Sequence, residues 1–184
     1  MIKVHVENVA TGAPYINQLI YIREDSQWAD KPNSTVYEGY TDNNGMLFIE
    51  FKYRKDAKYS IFINLPDNYC YIHSLSYPIN QEKTNDIHFR LAPCAQLKLK
   101  IDNVNCQGAG DEMVLFQGNQ VGNFDFNQPW EHDGCAFWES NGYSNVPMGE
   151  QYYRWEVTRS GNTETFYDTI YLQEGEQKLY EINY

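Results

Sequence analysis

Basic charge is scarce in this chain. Its 184 residues carry 14 Lys and Arg against 25 Asp and Glu, a formal charge of -11 spread along the sequence instead of gathered in a tail. Phosphate contacts need a basic footprint, so nucleic acid is not an expected partner. Long apolar runs are missing too. None approaches the roughly 18 residues of a membrane-crossing helix, so no membrane-spanning segment of that kind is expected. The first half holds no useful amphipathic stretch of helical period, which removes the α/β classes. Cysteine is limited to Cys70, Cys94, Cys106 and Cys135. Their spacings match no Cys-x-x-Cys site, and four in a chain of this length fall short of a disulfide scaffold.

Signatures of chemistry are equally sparse. His5, His73, His88 and His132 form no His-x-His or His-Glu-x-x-His pair. His88 stands between Ile87 and Phe89 and reads as a solvent-facing or hydrogen-bonded strand residue, not a ligand. Gln107-Gly108-Ala109-Gly110-Asp111 lacks the lysine and the strand-to-helix context of a phosphate loop. Asp102, Asn103, Asn105 and Asp111 offer calcium-type oxygens without the alternating spacing of a calcium loop. One cluster has the residue types of a cysteine nucleophile with its base: Glu131, His132 and Asp133 beside Cys135. A loop cysteine, buried or disulfide-bonded, is the plainer reading. An enzyme is not expected, nor a cofactor, nor a metal.

What the chain does have is aromatic and β-forming. Sixteen Tyr, nine Phe and four Trp, with many Asn and Gln, suit sheets whose outer faces are polar but uncharged, and exclude disorder. Ile2, Val4 and Val6 alternate; Ile20 and Ile22 face one way and Leu19 and Tyr21 the other. Gln27 to Thr35 is a polar loop with Trp28 and Pro32. In Gly39-Tyr40-Thr41-Asp42-Asn43-Asn44-Gly45-Met46-Leu47-Phe48, a polar turn sits between two strand-like runs. Asn44-Gly45 tolerates positive φ and Asp42 can accept from its own following backbone, so a hairpin is predicted there. Tyr59, Ile61 and Ile63 share a face, as do Ile87, Phe89 and Leu91. At Ala92-Pro93 the rhythm restarts with Leu97, Leu99 and Ile101, dividing the chain into 1–92 and 93–184. Residues 112–117 read as a buried strand. Tyr152 to Arg159, Thr163 to Leu172 and Lys178 to Tyr184 read as an antiparallel meander, with Trp155 and Val157 inward. The fold class expected is all-β: two consecutive small antiparallel β-sandwiches.

The first 91 residues resemble the transthyretin-like or prealbumin-like sandwiches, Ig-like in outline, found as carboxypeptidase regulatory-like and collagen-binding B-type repeat domains. The resemblance rests on the opening strand with Thr11-Gly12-Ala13-Pro14, on Leu19-Ile20-Tyr21-Ile22, on Thr41-Asp42 with Gly45 and Phe48, and on Ala57-Lys58-Tyr59-Ser60-Ile61. It implies an accessory module of an exported or cell-surface protein, with no catalytic residues to transfer. The Asn- and Tyr-rich strands also resemble small exported proteins or lipoproteins of Bacteroidetes-like bacteria.

Met1 runs directly into the first strand, without a signal peptide. Either the protein is intracellular, or an export segment has been replaced. Export to the periplasm, outer membrane or medium is favoured, with cytoplasmic residence and free buried thiols as the competing reading. If exported, Cys106 pairs with Cys135 and Cys70 with Cys94. The function expected is a non-catalytic module for adhesion, spacing or protein contacts. The alternative is carbohydrate binding on Trp130, Phe137, Trp138 and Tyr143, whose Gly- and Asn-rich section does not oblige every ring to be buried. Partners are therefore a protein or a glycan at the cell surface.

Overall fold

The computed structural model describes residues 1–25, 34–54, 56–122, 129–135 and 137–184. The loop carrying Trp28 and Pro32 lies outside them. The chain divides into two compact units, Met1–Ala92 and Pro93–Tyr184. The described residues contain no helix long and apolar enough to cross a membrane.

Unit 1 contains β1 (Ile2–Asn8), β2 (Leu19–Asp25), β3 (Ser34–Tyr40), β4 (Met46–Ile49), β5 (Lys58–Ile63), β6 (Tyr69–Ile72), β7 (Ser76–Pro78) and the first part of β8 (Asn85–Asp102). One sheet has the order β4-β1-β8, with β6 also paired to β8; the other has the order β3-β2-β5-β7. Period-two alternation explains which side chains go inside. Ile2, Val4 and Val6 on β1 meet Ile20 and Ile22 on β2, Tyr59, Ile61 and Ile63 on β5, and Ile87, Phe89 and Leu91 on β8 in a single core. Each such side chain is worth about 1.5–3 kcal/mol when fully removed from water.

Unit 2 comprises the rest of β8 with β9 (Glu112–Asn119), β10 (Trp130–Asp133), β11 (Phe137–Glu139), β12 (Ser144–Pro147), β13 (Gly149–Arg159), β14 (Asn162–Leu172) and β15 (Gln177–Asn183). Here β8 pairs with β11, β12 and β15, while the second sheet has the order β10-β9-β13-β14. Its core joins Leu99 and Ile101, Met113 and Leu115, Tyr153 and Val157, and Tyr180 and Ile182. Trp155 packs against this core, half-buried, and stacks on Phe166 at 5.7 Å.

The same topology occurs twice. In unit 1 the first strand, β1, pairs antiparallel with β4 and parallel with the last strand, β8. In unit 2 the first strand is β8, which pairs antiparallel with β11 and β12 and parallel with the last strand, β15. Between them, β2-β3-β5-β7 corresponds strand for strand to β9-β10-β13-β14.

Three expectations are corrected. The sheets are not purely antiparallel, because β1 with β8 and β15 with β8 are parallel. The terminal meander is only a hairpin: β14 pairs with β13, but β15 returns to β8 in the other sheet. On β9 only alternate residues are buried, and Phe116 lies on the outer face beneath the Arg154 guanidinium, 3.8 Å from its ring centroid.

The Asp42 to Gly45 turn is corrected as well. It closes no hairpin, since β3 pairs with β2 and β4 with β1, so the chain crosses there from one sheet to the other. Asp42 Oδ1 accepts from the backbone N–H of Asn44 (2.8 Å) and of Met46 (2.9 Å). Gly45 alone takes positive φ, at 70°; Asn44 does not. The turn is pressed against β1, where Val6 N–H donates to Gly45 O at 2.9 Å, and a Cβ on Gly45 would stand 2.4 Å from Val6 O. At the corresponding crossing of unit 2, Gly134 has φ of 69°, but a Cβ there would meet nothing closer than Ala109 Cα at 3.7 Å. Gly45→Val should therefore cost about 3 kcal/mol or more, from left-handed strain plus collision, and Gly134→Ala about 1–2 kcal/mol from strain alone. Urea denaturation of both variants checks this; equal losses would refute the close approach at Gly45.

Candidate functional site

Strand alternation divides the four aromatic candidates. On β11, Trp138 turns inward and Phe137 outward, where Phe137 is 53% exposed and lies 5.7 Å from Lys100 Nζ. Tyr143, in the turn after β11, is 45% exposed. Trp130 on β10 and Trp138 on β11 come from different sheets of unit 2 and meet edge to face with ring centroids 4.1 Å apart. Both are half-buried against the core. Together with Leu97, Leu99 and Val146 they line a pocket of about 420 Å3, and Gln117, Ser140 and Ser144 supply its polar groups. Ser140 Oγ is already engaged, accepting from Leu99 N–H at 3.2 Å and donating to Gly142 O at 3.0 Å. The result is a concave, mainly apolar cleft of ligand-binding size with a few polar groups, not a flat row of rings.

The cysteine cluster is settled by a covalent bond. Cys135 Sγ is bonded to Cys106, with Cα atoms 5.3 Å apart and a sequence separation of 29, so it has no thiolate to attack a substrate. No cysteine of the chain is free. His132 is buried on β10, its ring 6.1 Å from Trp130 and 6.4 Å from Tyr184.

The oxygen-rich residues beside this disulfide surround a guanidinium. Asp111, whose side chain is 3% exposed, is salt-bridged to Arg159. Its Oδ2 accepts from Gln107 N–H at 2.9 Å, Asn103 Nδ2 at 3.1 Å and Arg159 Nε at 3.2 Å. Asn103 also donates to Gly134 O at 2.9 Å and accepts from Arg159 Nη2 at 2.9 Å. Arg159 thus supplies the positive charge among these oxygens. The Gln107 backbone N–H is the main cause holding the Asp111 carboxyl below its usual range; Asn103 and Arg159 act with it, against desolvation.

Sequence spacing gives no sign of one further pair. His5 and His88 are register partners on parallel β1 and β8, with ring centroids 5.1 Å apart. Glu7 Oε2 lies 3.9 Å from His5 Nδ1 and Asp86 Oδ1 3.8 Å from His88 Nε2. Among the described residues, no group of three or more His, Cys, Asp or Glu is placed to hold a metal ion. The only signal for the pair would have been the parallel register itself.

No protein-family model matches the chain, and no curated protein matches it. Among solved structures it is similar to the minor pilin GBS52 of Streptococcus agalactiae, at 11% identity over 99% of this chain and 94% of that one, with a TM-score of 0.36. It is also similar to the shaft pilin SpaA of Lactobacillus rhamnosus GG, at 8% identity over 99% and 95%, with a TM-score of 0.34. A DUF3823 family protein from Bacteroides uniformis gives 16% identity over 94% and 98%, with a TM-score of 0.35. Values of this size fix neither a family nor an activity.

The Asp111 network makes unit 2 sensitive to acid. A carboxyl whose folded pKa is depressed contributes stability above its unfolded value, near 4, and loses it as pH falls through the folded value. Thermal unfolding of the wild type should therefore weaken steeply below about pH 4. Asp111→Asn should be less stable at neutral pH and show a shallower acid limb. Parallel wild-type and variant profiles would refute the assignment.

Proposed function

We propose that the chain is a non-catalytic accessory module of an exported protein, secreted or held at the cell envelope, that serves adhesion, spacing or protein contacts. The observation that carries this reading is the absence of any free cysteine, with Cys106 and Cys135 joined. Disulfides persist where the surroundings oxidise and are rare in a reducing cytosol. The same bond removes the one nucleophile the sequence offered. On this reading residues 1–92 form a transthyretin-like sandwich and 93–184 a second domain of the same topology. Placement in the periplasm or outer membrane of a Bacteroidetes-like bacterium, as a lipoprotein or soluble protein, is the finer form of the proposal.

Thiol titration of the unfolded, never-reduced protein should detect no thiol, and four thiols would overturn export as drawn. Closing the 29-residue separation between Cys106 and Cys135 is worth about 3 to 4 kcal/mol on the chain-entropy estimate. Cys106→Ser with Cys135→Ser should lower stability by a comparable amount in urea titration, while an unchanged midpoint would mean that the bond constrains nothing.

The pocket at Trp130 and Trp138 favours a second reading, in which a glycan ring enters the cleft and meets the polar groups of Gln117 and Ser144. Gln117→Ala and Ser144→Ala should abolish binding on a broad glycan panel without altering the fold. Trp138→Ala should cost about 2–4 kcal/mol, less than a fully buried ring, because the side chain is half-buried against the core. A panel on which the wild type binds nothing removes the glycan reading and leaves the accessory module standing.

A further inference from the structure

Strand β14 ends its sheet, and its inner neighbour is β13, to which all eleven of its residues are registered without a bulge. Among the described residues no strand pairs with its outer edge. Asn162 to Thr169 are exposed without a break. Soluble proteins usually blunt such an edge with Lys, Pro, a bulge or extreme shortness. The topologically equivalent edge of unit 1, β7, is three residues long and ends in Pro78. β14 has eleven residues, with no Lys, Pro or Gly, and it exposes Phe166, Tyr167 and Tyr171. The position is guarded in one unit and open in the other.

We propose that the free edge of β14 docks a second copy of the chain, whose own β14 adds antiparallel about a dyad at Tyr167, joining the two four-stranded sheets into one. The strand is self-complementary in this register, and the pattern of side chains selects it over its neighbours. Continuity of the sheet faces requires that paired residues share a face, which places the dyad on a residue. Tyr167 is the midpoint of Asn162–Leu172, so the full strand overlaps. Thr163 then stands opposite Tyr171, Thr165 opposite Thr169, and Tyr167 opposite itself, a neutral row of hydroxyl-bearing β-formers. On the other face Glu164 meets Ile170 and Asp168 meets Phe166, so no like charges stand directly opposite each other. Moving the dyad one residue to Phe166 sets Glu164 against Asp168, and moving it to Asp168 sets that carboxylate against itself. In the single chain Asp168 already accepts from Tyr180 Oη at 2.6 Å, which draws its charge toward its own sheet.

Two copies each carrying -11 repel at long range, so association should tighten as salt screens them. Sedimentation equilibrium of the full chain from low to high micromolar concentration, at low and at moderate salt, should show a monomer–dimer equilibrium shifted toward dimer by salt. Tyr167→Lys, at a side chain 74% exposed, sets two ammonium groups across the dyad and should weaken the dimer at least about tenfold. Thr165→Lys, also exposed, should act in the same direction. Val104→Lys, at an exposed turn residue outside β14, makes the same charge change and should leave the dimer intact or tighten it. Circular dichroism of each variant should match the wild type. A monomer at every concentration and salt overturns the proposal. So does a dimer indifferent to both β14 substitutions, or one loosened by salt.

Discussion

In each unit the first and last strands lie side by side and run parallel, and the rest of the arrangement depends on that pairing. Parallel neighbours cannot be joined by a tight hairpin, so the chain must leave the sheet and return to it from the same end. In unit 1 it leaves β1, builds β2, β3, β5 and β7 in the facing sheet, and comes back as β8. In unit 2 it leaves β8, builds β9, β10, β13 and β14, and comes back as β15. The excursion supplies the second layer over which the apolar faces close. Without it Val4 and Phe89, or Ile101 and Ile182, would line one face of a sheet with nothing opposite.

The excursion also requires the chain to cross back between sheets, and two of those crossings turn on a left-handed glycine. Gly45 follows β3 and Gly134 follows β10, and each turns the chain from the second sheet back to the first with φ near 70°. Sequence reading found Gly45 and its Asp42 partner because both act over a few residues. It assigned them to a hairpin because a turn residue reports local curvature and not which strand comes next to which. The same division runs through the fold. Alternation placed Ile20 with Ile22, and Tyr59 with Ile61 and Ile63, because side-chain direction is fixed by the neighbouring peptide units. The parallel partnership of β1 with β8 depends on residues more than eighty apart and leaves no local mark, so the meeting of His5 with His88 was invisible. Trp130 and Trp138 were legible as loop aromatics; their encounter from opposite sheets was not.

Unit 2 solves a problem that its own loops create. The segments carrying Asn103, Gln107 and Asp111, the turn at Gly134 and the end of β13 at Arg159 converge on one set of hydrogen bonds. Buried backbone groups there need partners. Asp111 is the acceptor that serves three of the segments at once, and Arg159 balances its charge while bonding Asn103. The Cys106–Cys135 bond ties the same loops covalently. A polar network of this kind specifies one arrangement more than it adds net stability, because the desolvation of Asp111 and Arg159 offsets much of their attraction. The disulfide acts on a different quantity, the freedom of the unfolded chain, so the two devices are complementary.

Because the units share a topology, the features in which they differ are the ones the fold does not require. β13 and β14 extend to eleven residues each, where β5 and β7 have six and three. The core of unit 2 uses only the final part of β14: Leu172 is buried and Ile170 half-buried, while Asn162 to Thr169 stay exposed. Those eight positions contribute little apolar burial, yet ordering them costs backbone entropy of about 1–2 kcal/mol per residue. Hydrogen bonding to β13 recovers part of that cost, and the stacking of Phe166 on Trp155 recovers some more. A strand extended past its own core and left unguarded at its edge is understandable as a surface that becomes buried when another chain lies against it.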